Sequence, residues 1–303
     1  MAVLVTGGRG FIGYYTCLEL ISKGYEVIVF DNLSQRNNLP SIDGVEFVQG
    51  DVLDNDKLIS LVKRAGQGVI HLAADSRVLP SIGSTKAAFN SLRVNIDGTI
   101  NLLKLILELN PSIPFVYAGS STAYGDSNMP QAENTAINPQ TPYATGKYCG
   151  EMILRSFQQT FNFNSVVLRY FQVYGVGQPS QGAYALVTGI FLDQLEQGLP
   201  LTIEGDGLQS RDFVHVKDVA RANVLALQLN DKSDNIPINI GTGITTSILD
   251  LAHLYSKNLE FKPARRLDLP GTQADISRAK TILNWNPTIY LQEGVKNLIE
   301  RHI

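Results

Sequence analysis

At 303 residues, 44% hydrophobic and 17% charged, the chain can bury a large core as one big domain or two intimately joined ones. A net charge of −3 with no lysine or arginine run speaks against a nucleic-acid or anionic-membrane surface. The two cysteines, Cys17 and Cys149, show neither metal-ligand spacing nor a disulfide framework; with no transmembrane-length apolar run and no charged leader, the expectation is a cytoplasmic protein without a metal site.

In chain order, "AVLVTG" (2–7) reads as a buried strand, 11–22 as a helix and "EVIVFD" (26–31) as a second strand. "VEFVQGD" (45–51), "GVIHLAA" (68–74) and "IPFVYAGS" (113–120) follow as strands, with helical spacing over 85–109. After Pro142 comes a helix to about residue 160, then the strand "NSVVLRYF" (164–171). Strands alternating with helices, and apolar along their whole length, predict a doubly wound parallel α/β sheet of the Rossmann type. From residue 172 the rhythm changes. "QVYGVGQPSQGAY" reads as loop, followed by helix 184–197, the strand "LTIEGD", helix 218–229, the strand "PINIG" and helices near 247–257, 276–283 and 291–302. The expected division is a dinucleotide-binding domain over 1–172, with 213–243 returning to it, and a smaller α/β lobe from 173–212 and 244–303.

"TGGRGFIG" places Gly7, Gly10 and Gly13 between the first strand and the first helix. Glycines there allow a tight turn and close approach of a pyrophosphate to the helix N-terminus, where the amides of Phe11 and Ile12 lie. The second strand ends in Asp31, followed by Asn32; an acid at that place binds the adenosine ribose hydroxyls and repels a 2′-phosphate, which selects NAD over NADP, with Arg36 as the contrary sign. Asp51 and Val52, after the third strand, are candidates to hold the adenine. Leu72, Ala73 and Ala74, in "HLAA", leave room for a flat ligand; His71 beside them reads as a packed strand residue.

"TPYATGK" puts Tyr143 and Lys147 on one face of a helix that starts at Pro142. A phenol titrates near about 10, and a neighbouring ammonium with a positive nicotinamide ring would bring that value down. Ser120, at a strand's end in "GSSTAYG", can hydrogen-bond a substrate oxygen. These are parts for taking a proton from an alcohol while its hydride leaves.

Over nearly its whole length the chain resembles the extended short-chain dehydrogenases/reductases, in their nucleotide-sugar epimerase/dehydratase branch. The resemblance rests on "TGGRGFIG", "DNLS", "HLAA", "NIDGTINLL", "GSSTAYGD", "PYATGK", "LRYFQVYGVGQ", "GDGLQSRDFVHVKDVARA" and "ADISRAKTILNWNP". It implies Tyr143 as base, Lys147 as its electrostatic partner and ribose ligand, Ser120 as the third catalytic residue, and Asn95 as the family's asparagine on the central helix. It also implies a nucleotide-diphosphate sugar, UDP-linked in the family's usual manner, held by Arg211, by Arg265 (with Arg266 as competitor) and, at the ribose, by Asp268. Gln172 stands where the family usually has asparagine, and "RLDLPG" after Arg265 departs from the family's pattern. His215 and Asp218 read as a strand end and helix cap.

Dehydratases and decarboxylases of this family carry an acid just after the catalytic serine. Here Ser121, Thr122 and Ala123 fill that stretch, as in UDP-glucose 4-epimerase-like members. The resemblance therefore implies C4 epimerisation through a 4-keto sugar with NAD regenerated; a dehydratase, decarboxylase or reductase is the alternative, and a non-catalytic NAD sensor a third reading. Ser76, Ser81 and Tyr174 are expected near the sugar, and a homodimer through helices 85–109 and 143–160.

Overall fold

The computed structural model describes residues 1–35, 39–76, 78–180, 185–229, 236–264 and 269–302. Its main sheet runs through β1 (Val3–Thr6), β2 (Val27–Asp31), β3 (Val45–Gln49), β4 (Gly68–His71), β5 (Phe115–Ser120), β6 (Ser165–Tyr170) and, far along the chain, β10 (Ile238–Ile240). Between these lie α1 (Phe11–Ser22), α2 (Asn55–Arg64), α3 (Val78–Gly83), α4 (Thr85–Leu92), α5 (Gly98–Leu109) and α6 (Pro142–Phe161). The second lobe adds β7 (Gln172–Tyr174), α7 (Val187–Glu196), β8 (Leu201–Glu204), β9 (Ser210–His215), β11 (Thr245–Ser247), α9 (Ile248–His253), β12 (Leu259–Lys262) and α11 (Leu291–His302). Helices α8 (Val216–Leu227) and α10 (Ser277–Ile282) complete the α-helices, and a 3-10 turn, Ser121–Tyr124, follows β5.

The main sheet has the order β10-β6-β5-β4-β1-β2-β3, and every pairing in it is parallel. Strand residues such as Val3, Leu4, Val69, Ile70, Val116 and Leu168 are wholly buried, because helices cover both faces of the sheet. One face packs α1 and α8, the other α2, α5 and α6. The chain leaves β1 in one direction toward β3 and returns on the other side at β4. That reversal opens a crevice at the carboxyl ends of β1 and β4, where open α/β sheets bind ligands.

Helix α6 shows how local chemistry sets an element. The Thr141 hydroxyl accepts from the Ala144 amide at 3.1 Å, Pro142 occupies the first turn, and Asn162 ends the helix in the left-handed region with φ 60°. The 85–109 helical spacing resolves into α4 and α5 joined by a π-helical turn, Arg93–Asp97.

The structure redraws the expected boundary. Gln172–Tyr174, read as loop, form a strand that pairs with β9, so residues 213–215 stay in the second lobe's sheet, β11-β9-β7. The return to the main body is made by α8 and β10. The α10 segment rejoins it too: Ala279, Leu283 and Trp285 lie in the core beneath the main sheet, and Trp285 Nε1 donates to the Asp218 carbonyl at 2.9 Å. The second lobe has a core of its own around Tyr174, Phe191, Phe213, Leu251 and Leu298.

Candidate active site

The crevice has two adjoining parts, one of about 260 Å³ over β5 and α6 and one of about 520 Å³ over β2 and β3. Gly7 and Gly10 line both, and Phe11, Ile12 and Gly13 line the first. Gly7 has φ +72°, and a Cβ on it would lie 2.6 Å from the Ala73 nitrogen; one on Gly13 would lie 2.2 Å from the Gly7 carbonyl oxygen. Gly10 precedes α1 with no side-chain cap, which leaves the helix's first amides for an anion. This glycine-lined cradle fits a dinucleotide pyrophosphate.

At the outer part, the Asp31 carboxylate accepts from the amides of Arg9 at 3.0 Å and Leu33 at 2.7 Å. Burial pushes its carboxyl above the ordinary value, while the two amides pull it back. Ribose hydroxyls donating there would offset that cost. Asn32 Nδ2 donates to Asp51 at 2.8 Å, so Asp51 shapes the loop while Val52 walls the cleft. Leu72, Ala73 and Ala74 form the floor.

At the inner part, Ser120, Tyr143 and Lys147 line one wall. Ser120 Oγ lies 2.8 Å from Thr122 Oγ1 and accepts from the Thr122 amide at 3.3 Å, and it bears on the Tyr143 phenol beside it. Sequence reasoning expected Lys147 to draw the Tyr143 pKa down. In the structure burial raises it, Ser120 opposes that rise, and the Asp75 charge adds to it. Burial lowers the Lys147 ammonium to about 7. The protein alone thus holds both partners toward their neutral forms, and added positive charge is what would release the phenolate.

Asn95 does not line the crevice. It is buried in the π-helical turn, where Oδ1 accepts from the Asp75 amide at 3.0 Å and Nδ2 donates to the Asp75 carbonyl at 3.1 Å. It fixes the loop after β4, on which Ser76 stands. His71 is a packed strand residue, paired with Thr6 Oγ1 at 2.7 Å and Thr99 Oγ1 at 3.2 Å and pushed down to about 3 by burial and the Lys147 charge. Tyr174 and Ser81, expected near the sugar, are buried; Tyr174 belongs to the second lobe's core. Ser76, Ser121, Thr122, Gln172, Pro179 and Leu186 line that side instead.

Arg211 lines neither part of the crevice; its Nη1 donates to the carbonyls of Ser210 and Leu269, each at 2.8 Å. Arg36, Arg265, Arg266 and Asp268 lie outside the described residues. His215 caps α8 by accepting from the Lys217 amide at 3.2 Å, and Asp218 accepts from Thr288 and Ile289, both structural roles. Sequence reasoning missed Gln35, which lines both parts of the crevice and donates to Ser76 Oγ at 2.9 Å. Its one signal was its place directly after "DNLS". Among the described residues no group of His, Cys, Asp and Glu is placed to hold a metal, and no helix is long and apolar enough to cross a membrane.

A glycine cradle at the switch point of a doubly wound sheet, with a Ser–Tyr–Lys group on the facing wall, defines a dinucleotide-dependent enzyme. The chain belongs to the NAD dependent epimerase/dehydratase family, which it matches over residues 3–241. It is 34% identical to the putative UDP-glucose 4-epimerase of Methanocaldococcus jannaschii, covering 98% of this chain and 97% of that one. The Thermotoga maritima UDP-glucose 4-epimerase solved with UDP-glucose superposes with a TM-score of 0.91, at 34% identity, covering 99% of this chain and 98% of that one. The Thermus thermophilus UDP-glucose 4-epimerase solved with NAD gives a TM-score of 0.88 at 30% identity, covering 100% of this chain and 99% of that one.

Proposed function

We propose that this chain catalyses NAD-dependent epimerisation at C4 of a nucleotide-diphosphate sugar, UDP-linked as in the enzymes it resembles. The observation that carries the reading is the Ser120–Tyr143–Lys147 wall beside the glycine cradle, followed by a Ser121–Ala123 turn with no carboxylate for elimination.

NAD held in the glycine cradle would supply a hydride acceptor that becomes the donor, and in its oxidised form a positive charge. Tyr143 takes the proton from the sugar O4 and later returns it. Ser120, on the same wall as that phenol, orients the same oxygen and stabilises charge on it. Lys147 favours the phenolate by its charge and binds the cofactor ribose. Asp31 and Asn32 select the adenosine end, with Asp51, Val52, Leu72, Ala73 and Ala74 around the base, and Asn95 holding the loop beneath. Ser76, Ser121 and Gln172 face the sugar. Arg211, Arg265 and Asp268 are assigned to the nucleotide diphosphate; Arg211 would have to leave its two carbonyls, so its part in this reading is the most exposed to test.

A homodimer through α4, α5 and α6 belongs to the same reading. Phe89 on α4 and Met152 on α6 are exposed, at 72% and 40%. Leu102 and Leu105 support no such face, since both are in the core, where Leu109 also packs. A cytoplasmic place follows from the cysteine usage and the cofactor.

The test is proton NMR of the purified protein with UDP-glucose, UDP-N-acetylglucosamine and UDP-glucuronate in separate tubes, first without and then with added NAD. Appearance of the matching 4-epimer, with no net consumption of NAD, is the expected result. Elimination products, stoichiometric NAD reduction or no change in any tube would overturn the reading.

A further inference from the structure

Lys147 is buried, yet among the described residues no carboxylate pairs with it. The nearest acid on its own helix, Glu151, is committed to Arg169, whose Nε donates to it at 3.0 Å. Asp75, across the crevice, accepts from Asn90 Nδ2 at 2.7 Å and bears on Tyr143. His71 on β4 could bring only a like charge, and burial and the Lys147 charge hold its pKa down to about 3. Of the other charged residues on elements packed against α6, Lys86, Arg93, Asp97, Lys104 and Glu108 are exposed, and Glu108 lies 4.0 Å from the Lys104 ammonium. What does face the ammonium is an aromatic ring: Lys147 Nζ sits 4.3 Å from the centroid of Tyr117 on β5.

The fit of that ring is built in from two sides. The Tyr117 hydroxyl donates to the Lys147 carbonyl at 3.2 Å, one helical residue holding both ends of the phenol's contacts. Three residues on, Gly150 makes the space: a Cβ there would lie 2.2 Å from the Tyr117 hydroxyl oxygen. Tyr117 is fully buried, so its ring face acts in a desolvated setting, where attraction for a cation is strongest.

We propose that Tyr117 is a positioning residue for the proton-transfer pair, its ring face holding the Lys147 ammonium beneath α6 in place of the carboxylate the site lacks. The inference rests on the role given to Lys147 above and extends it to a residue that lines neither part of the crevice. It has a definite sign. A ring that favours the cation raises the Lys147 pKa against burial, which lowers it. Lys147 carries its charge below that pKa, so weakening the ring makes the charge disappear at lower pH.

The experiment uses the NAD-loaded enzyme with Tyr117→Phe, Tyr117→Leu and a series of site-specifically incorporated phenylalanines bearing increasing numbers of ring fluorines. Fluorine drains the ring face of negative potential with little change in size, so the series stands even where Tyr117→Leu fails to fold. Lys147 is titrated directly by its 15N side-chain resonance, assigned with Lys147→Met, and the pH profile of kcat/KM is recorded beside it. The expected result is that Phe leaves the titration nearly in place, whereas the fluorinated series lowers it stepwise, by about one pH unit in all. The alkaline limb of kcat/KM should move down with it. A Lys147 titration indifferent to fluorination would overturn the proposal, as would a Phe variant already as low as the most fluorinated ring, which would assign the effect to the hydroxyl. If the wild-type enzyme epimerises none of the sugars, the proposed function falls, while the 15N titration still decides Tyr117.

Discussion

The main body and the second lobe are held together in different ways. Around the main sheet, parallel strands and apolar helix faces make the contacts, including the late-returning α8 and β10, and the groups assigned to chemistry stand at strand ends or helix starts: Asp31 ends β2, Ser120 ends β5, Tyr143 opens α6. The second lobe is stitched from distant pieces by buried carboxylates. Asp212 accepts from the amides of Thr242, Gly243 and Ala274 and from the Thr242 hydroxyl, and Asp218 gathers the amides of Thr288 and Ile289. The contrast teaches that reactivity here rests on a few turns of the main body, whereas the attachment of the lobe that covers them rests on satisfied buried charge.

The sharpest way to press that contrast is Tyr143→Phe. Removing the phenolic hydroxyl should cost about 10²–10⁴-fold in turnover of the nucleotide sugar while leaving thermal unfolding unchanged. Turnover followed by NMR beside a thermal melt checks both halves of the statement.

Asp212→Ala should do the converse. It leaves several buried donors without an acceptor, so stability should fall by at least about 3 kcal/mol, a drop in Tm on the order of 10 °C. Chemical denaturation measures it. Loss of turnover with undiminished stability would break the comparison, because it would make this carboxylate part of the chemistry.

A third probe uses the buried imidazole that each part carries among the described residues. His71 is lowered to about 3 and His215 to about 4, in both cases chiefly by burial. Below pH 6.5 the unfolded chain takes up protons that the folded one refuses, so each imidazole lowers stability as pH falls from about 6.5 toward those values. Between pH 7 and pH 5 each should contribute a loss of about 2 kcal/mol. Urea melts of His71→Asn and His215→Asn at the two pH values should each show a dependence flatter than wild type by that amount. A variant with wild-type pH dependence would show that its histidine takes up protons equally in the folded and unfolded chain.

The smallest effect is expected at Gln35, whose amide bridges to Ser76 across the crevice. Losing one neutral hydrogen bond in Gln35→Ala should weaken NAD retention about five-fold, read from the NAD content of the protein after dialysis.

By itself the sequence determined the doubly wound parallel sheet, the glycine cradle, Asp31 and the Ser120, Tyr143 and Lys147 wall, because each depends on residues close together in the chain. A buried strand is apolar throughout, a dinucleotide turn needs its glycines in one short run, and a helix sets Tyr143 and Lys147 one turn apart. Only the tertiary structure decided the rest. Tyr174 and Ser81 line neither part of the crevice; Tyr174 packs into the second lobe's core, whose members come together only in the fold. Asn95 serves the Asp75 backbone rather than lining the cleft, since a π-helical turn aims it there. Trp285 and α10 joined the main core although their neighbours belong to the second lobe, and Gln172–Tyr174 became a strand because β9, some forty residues later, supplies the partner. The same distinction governs charge: spacing alone suggested a lysine that lowers its tyrosine's pKa, whereas burial raises Tyr143 and lowers Lys147, and burial is a property of the folded whole.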